Sequence, residues 1–152
     1  MRSVELLNRM EYDKKIILIS CASKKIAFKS KAEDLYISPL FRFSLVYAKK
    51  LKPDKIFILS AKYGLLNLND EIATYNETLN NKSVSDIKIW AEKFVFKLGK
   101  IANLQNDVFI FFADKKYREY ILPHIKYYKI PLKDLRIGEQ LKFLKNKLKQ
   151  TD

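Results

Sequence analysis

Four short stretches of the chain are almost continuously apolar. Lys15–Ser20 (Lys-Ile-Ile-Leu-Ile-Ser) is a run of β-branched residues and leucine with polar ends, the pattern of a strand covered on both faces. Lys55–Ser60 and residues 107–112 repeat that pattern, and residues 127–130 form a weaker fourth copy. Between these runs the apolar positions recur at steps of three and four instead. Over residues 39–51, Leu40, Ser44, Leu45, Ala48 and Leu51 share one helical face, with Ser38 placed to cap it and Pro39 at the first helical position. From Val84 onward, Ile87, Trp90, Ala91, Phe94, Leu98 and Ile101 mark the clearest amphipathic helix, with Ser83 as its cap. Residues 114–124 and 137–149 complete the helices; the last sets Ile137, Leu141, Leu144 and Leu148 on one side and lysines around the rest.

Strand and helix therefore alternate. That order predicts an α/β domain, a three-layer α/β/α sandwich around a mostly parallel sheet of about four strands. At 152 residues the chain fits one domain spanning 1–152, and no linker, repeat or low-complexity tract interrupts it. Two connections, residues 21–38 and 61–82, are long for a compact domain. Both begin at the carboxyl ends of predicted strands, where open α/β sheets bind their ligands.

Charge narrows the partners. Thirty Lys and Arg against seventeen Asp and Glu give +13, while 48% of residues are hydrophobic, which describes a folded, strongly basic protein rather than a basic tail. Lysine clusters at 24, 25, 29 and 31 and at 142, 145, 147 and 149 suit phosphate backbones. The plainer account of both is a solvated surface. Gly64, Gly99 and Gly138 are too scattered for a glycine-rich nucleotide loop. One histidine, His124, and one cysteine, Cys21, cannot build a Cys/His zinc site or an internal disulfide. No cofactor and no metal is expected. The chain has no apolar run of membrane-spanning length, and residues 1–15 carry charges where a signal peptide needs an apolar core. A cytoplasmic protein with no membrane partner is expected.

Candidate chemistry gathers in the two long connections. The first opens Ser20-Cys21-Ala22-Ser23-Lys24-Lys25; neighbouring ammonium groups favour a thiolate, although the histidine base that usually accompanies a nucleophilic cysteine is missing. Cys21 as a small packed residue is the competing account. The second opens Ser60-Ala61-Lys62-Tyr63-Gly64 and runs on to Tyr75-Asn76-Glu77-Thr78. Gly64 suits the turn, and Lys62 suits phosphate binding or amine nucleophilicity. Tyr36, Phe41, Tyr63, Tyr75 and Tyr117 offer faces for a nucleobase, or pack in the core. Asp114 is placed to cap a helix, Glu77 has no evident acid partner, and His124 sits near a helix end.

The segments Leu35-Tyr36-Ile37-Ser38-Pro39-Leu40-Phe41, Ile58-Leu59-Ser60-Ala61-Lys62-Tyr63-Gly64-Leu65 and Tyr75-Asn76-Glu77-Thr78-Leu79, with Ser20, Cys21 and Lys24 before them, form a specific combination. It resembles domain of unknown function 6884, an uncharacterised family of bacterial and phage proteins, over roughly residues 15 to 145, closing on Pro131-Leu132 and Ile137-Gly138-Glu139. More distantly the layout is similar to uracil-DNA-glycosylase-like α/β domains, including one in archaeosine synthase. That similarity implies an interest in nucleobases, although the Asp or Asn and the His that such glycosylases use have no matching motif here.

These features together lead to an expected nucleic-acid- or nucleotide-associated enzyme with a nucleobase or nucleoside pocket at the strand ends, suited to cleavage or exchange at an N-glycosidic bond. Lys62 and Cys21 are its catalytic candidates. Ser20, Lys24, Tyr36, Ser38, Ser60, Tyr63, Gly64, Tyr75 and Asn76 are its binding candidates. The alternative is a non-catalytic basic DNA- or RNA-binding module, or a protein-binding accessory of a phage or defence operon.

Overall fold

A computed structural model describes residues 12–150. Residues 1–11, which hold most of the charged amino-terminal stretch, and residues 151–152 lie outside the described residues. In chain order the elements are β1 (Lys15–Ser20), β2 (Ser30–Lys31), α1 (Ala32–Leu35), α2 (Pro39–Lys50), β3 (Lys55–Ser60), β4 (Gly64–Asn67) and β5 (Glu71–Ile72). There follow α3 (Val84–Ile101), β6 (Val108–Phe112), α4 (Lys115–Arg118), β7 (Tyr127–Lys129) and α5 (Ile137–Lys149), with short 3-10 turns at Leu79–Asn81 and Leu122–His124.

The fold is mixed α/β, with a five-stranded, mostly parallel sheet in the order β4-β3-β1-β6-β7. Strands β3, β1, β6 and β7 are parallel, and each comes from one of the four apolar runs. The expected strand count is corrected by β4, which pairs antiparallel with β3 at the sheet edge. Its four residues are too few to display a period, and the pairing is imposed by the preceding turn. In that turn Gly64 takes a φ of 73°, the left-handed conformation that completes a three-residue hairpin loop with little strain only in glycine. A separate antiparallel ribbon, β2 with β5, ties the two long connections to each other.

Helix starts follow the sequence closely. Ser38 Oγ accepts the Phe41 N–H at 3.3 Å with Pro39 in the first turn, and Ser83 Oγ accepts the Asp86 N–H at 3.2 Å. The helix expected over 114–124 is shorter. It ends at Arg118, where the bonding shortens: the Ile121 N–H goes to the Arg118 carbonyl at 3.0 Å, and a 3-10 turn that holds Pro123 follows, ending at His124. Asp114 occupies the N-cap position of α4 without a side-chain cap bond.

Alternation along the strands sorts the core into two sets. Ile17 and Ile19 of β1 join Ile58, Phe112, Leu45 and Leu144 with α2 and α5. Ile16 and Leu18 join Phe57, Phe109, Phe111 and the buried face of α3, from Ile87 to Leu98. The start of β6 is fastened by Asp107, only 2% exposed. Its carboxylate accepts the Lys14 N–H at 3.1 Å and the Asn103 N–H at 2.8 Å, joining the α3–β6 connection to the start of β1. Asp107→Ala strands both donors, so unfolding stability measured in urea should fall by about 2–4 kcal/mol; a change within about 0.5 kcal/mol would show that water replaces the carboxylate there.

Candidate functional site

Strand order reverses at β1. The chain passes from β1 to β3 on one side, then crosses to β6 and β7 on the other, so the crevice favoured for ligands opens between the carboxyl ends of β1 and β6. Cys21 is the first residue past β1, held in line by its N–H to the Leu59 carbonyl at 3.0 Å. Tyr117 lies on α4, directly after β6. The Cys21 S–H donates to the Tyr117 hydroxyl at 3.4 Å, spanning the crevice, and that hydroxyl also accepts the Leu79 N–H at 3.3 Å.

A chain of buried hydroxyls adjoins this pair. Ser60 Oγ, at the end of β3, donates to the Tyr75 hydroxyl at 2.9 Å, and the Tyr75 and Tyr36 hydroxyls lie 2.6 Å apart. Ser60 Oγ also accepts the Tyr63 N–H at 3.0 Å, while the Ser60 carbonyl accepts the indole N–H of Trp90 at 2.9 Å. The Tyr63 and Tyr75 rings meet edge to face at 5.5 Å. Lys25 faces Tyr36 across an antiparallel bridge, which places both side chains on one side of that ribbon. Its ammonium stands over the Tyr75 ring, 4.3 Å from the centroid, a cation–π contact.

Electrostatics in the cluster follow from burial. Burial pulls the Lys25 ammonium below the ordinary lysine value, with Cys21 acting in the opposite direction. Burial likewise pushes the Tyr36, Tyr75 and Tyr117 phenols above the tyrosine range, and the neighbouring Cys21 sulfur adds to the effect at each. The result is a partly exposed thiol, an ammonium with weakened hydration and three phenols that hold their protons, all at the sheet's carboxyl edge. Such a set offers a nucleophile and hydroxyl groups around Cys21, with Tyr36 and Tyr75 in the core set of α2 and α5 and Tyr117 in that of α3.

Beside it runs an open cleft of about 580 Å³ between the β3–β4 turn and α3. Its wall includes Lys62, Tyr63 and Gly64 from the turn and Trp90, Lys93 and Phe96 from the helix. Leu79 and Trp90 line the cleft and also touch Tyr117: Leu79 through its N–H, Trp90 with its ring edge-on at 5.6 Å. One layer of side chains thus separates the open cleft from the Cys21–Tyr117 pair.

Cys21, Tyr36, Ser60, Tyr63 and Tyr75, all singled out from the sequence, come together here. Ser20 is half-buried at the end of β1. Gly64 shapes the turn, and Ser38 serves as the cap of α2. Lys24 and Asn76 are exposed; Lys62, also exposed, stands over its neighbour Tyr63 at 5.4 Å and borders the cleft. Lys25 and Trp90 are not among the binding or catalytic candidates of the sequence, and Tyr117 enters there only as an aromatic face for a nucleobase, whereas the structure uses its hydroxyl. The bridge between Lys25 and Tyr36 decides which of the paired lysines turns inward, and a two-residue pairing leaves no period in the sequence. Tyr117 follows the third buried run by only five residues, so its place at a strand end was the one available signal.

The three phenols set the alkaline limit of stability. Below the ordinary tyrosine value of 10.0 they are protonated in both the folded and unfolded chain. Above it the unfolded chain releases protons that the folded site retains, so stability falls as pH rises. Lys25 acts in the opposite sense until its ordinary value of 10.5 is passed. Urea midpoints should therefore decline most steeply above that pH, and Tyr75→Phe should flatten the decline while costing about 1–3 kcal/mol at neutral pH through the hydroxyls it leaves unpartnered. An unchanged alkaline slope in Tyr75→Phe would mean that this phenol titrates like an exposed one.

Among the described residues no group of three or more His, Cys, Asp or Glu is placed to hold a metal ion, and no helix is long and apolar enough to cross a membrane. No curated protein and no solved structure matches the chain. Residues 16–146 match the family of unknown function DUF6884, a span that takes in the sheet from the second residue of β1, both long connections and most of α5, and the chain belongs to that family.

Proposed function

We propose that the protein is a nucleotide- or nucleic-acid-associated enzyme that cleaves or exchanges an N-glycosidic bond in the crevice beside Cys21. The observation that carries this reading is the Cys21–Tyr117 contact at the point where strand order reverses, with the Lys25 ammonium over Tyr75 and the linked hydroxyls of Tyr36, Ser60 and Tyr75 on the other side of Cys21. In this reading the two core sets are the two sides of a three-layer α/β/α sandwich. The distant similarity to uracil-DNA-glycosylase-like domains and a cytoplasmic setting belong to the same proposal.

The chemistry follows from the groups present. The Cys21 sulfur attacks the sugar C1′, forming a C–S bond as the C1′–N bond breaks. The base leaves with the bonding electron pair and takes up the thiol proton, relayed through the Tyr117 hydroxyl. Water, or the ring N–H of an incoming base, then displaces the sulfur and returns a proton to it, restoring the thiol. Lys25 stabilises negative charge at the reacting centre. Lys62, at the mouth of the cleft, holds phosphate instead of standing at the thiol.

The direct test is base release or base exchange from nucleosides, nucleotides and oligonucleotides, including modified bases, followed by chromatography. Cys21→Ser and Lys25→Met should each lower the rate by at least about a hundredfold with the fold kept. Full activity in both variants would remove the proposed centre. The second reading, a non-catalytic basic binding module, draws on the exposed Lys142, Lys145 and Lys149 of α5. It predicts no turnover with any base, and salt-sensitive binding that α5 variants weaken and Cys21→Ser leaves intact.

A further inference from the structure

The cleft between the β3–β4 turn and α3 has a makeup of which the proposed chemistry uses Lys62 alone. Phe96 and Ile89, which line it, are 66% and 51% exposed. Trp90 stacks on Phe94 at 5.6 Å, with the two rings tilted by only 27°. Apolar side chains left this open on a helix in a strongly basic protein mark a surface that meets something.

Four lysines, Lys62, Lys82, Lys93 and Lys97, stand around that apolar floor. Among the described residues none of them has a carboxylate within ion-pair distance, so their charges are free to meet an anion. Glu77, Asp86 and Glu92 also border the cleft. A uniformly acidic ligand would be repelled by them. A ligand whose anionic groups are spaced, with N–H and hydroxyl donors between, satisfies both sets at once.

We infer that this cleft is the seat of a single-stranded nucleic-acid segment, with phosphates at the lysines, unpaired bases on Phe96, Ile89 and the edge of Trp90, and base or sugar donors at the carboxylates. Single-stranded nucleic acids combine these features, since their base faces are free to stack. A duplex hides those faces, and the exposed aromatic floor would then gain nothing. The inference rests on the reading of the protein as a nucleic-acid enzyme and deepens it: Leu79 and Trp90 border both the cleft and Tyr117, so the strand would lie against the layer that covers the Cys21–Tyr117 pair.

Trp90 is the single tryptophan of the chain and reports on the cleft directly. The experiment uses the full chain with labelled DNA and RNA strands of about twelve nucleotides, the same sequence as a duplex, and an acidic peptide of matching charge. Anisotropy gives affinity and indole fluorescence gives location. The expected result is quenching of Trp90 by the single strands, with duplex and peptide at least about tenfold weaker. Lys93→Glu with Lys97→Glu should lower single-strand affinity at least about tenfold and reduce its salt dependence, while Lys142→Glu with Lys145→Glu changes affinity by less than about threefold. Phe96→Ala should weaken single-strand binding with little change in the salt slope. All are exposed positions, and circular dichroism checks that the variants fold.

Equal or tighter binding of duplex, equal or tighter binding of the peptide, or a larger loss from the α5 pair than from the α3 pair would overturn the inference. So would strand binding that leaves Trp90 fluorescence unchanged. Failure of the wider reading looks different: strands quench Trp90 and the α3 pair matters, yet no base is released, which supports the cleft and removes the chemistry. Base release from free nucleosides without any strand binding would do the reverse.

Discussion

Ser60, Tyr75 and Tyr36 form a chain of hydroxyls on which the carboxyl edge of the sheet depends. The three residues come from β3, from the second long connection and from the start of α2's approach, and all are buried. A buried hydroxyl without a partner costs free energy comparable to a lost hydrogen bond, so each residue is tolerated there only because the others are in place. The connections meet again in the β2–β5 ribbon, and the first folds back on itself at the Lys25–Tyr36 bridge. Loops of this length would ordinarily be mobile. Here their ends, middle and side chains are fixed against β3, and Cys21 and Lys25 inherit that fixed placement.

Much of the frame was legible in the sequence because its signals are long. Six residues of β1 and β3 and the eighteen of α3 show their period plainly, and Ser38 and Ser83 mark helix starts with a hydroxyl in the position that needs one. β4, β2 and β5 were not legible. They have four residues or fewer, and their pairing is settled by the Gly64 turn and by contacts between segments far apart in the chain. The helix over 114–124 is cut short by a local change to tighter hydrogen bonding after Arg118, which the apolar spacing does not reveal.

The site divides along the same line. Cys21 directly follows β1, Ser60 ends β3 and Tyr63 lies three residues beyond it, so position along the chain placed them at the ligand-binding edge. Tyr36 and Tyr75 were picked for their rings, yet the structure uses their hydroxyls, and their rings serve as walls against Phe41, Tyr63 and Lys25. The choice between Lys24 and Lys25 turned on backbone pairing. Adjacent residues of an extended segment point to opposite sides, and only the bridge to Tyr36 says which one faces the phenols.

Burial and charge are arranged in opposite ways in the two halves of this edge. Near Cys21, one ammonium lies over the Tyr75 ring with part of its hydration removed. In the open cleft, four lysines with no carboxylate partner among the described residues remain in water around an apolar floor. A charge in water interacts weakly and at long range with many partners, whereas a desolvated one interacts strongly with the few groups beside it. The open lysines are therefore suited to collecting and orienting an anionic ligand. Lys25 is suited to responding to a change of charge at a single nearby atom.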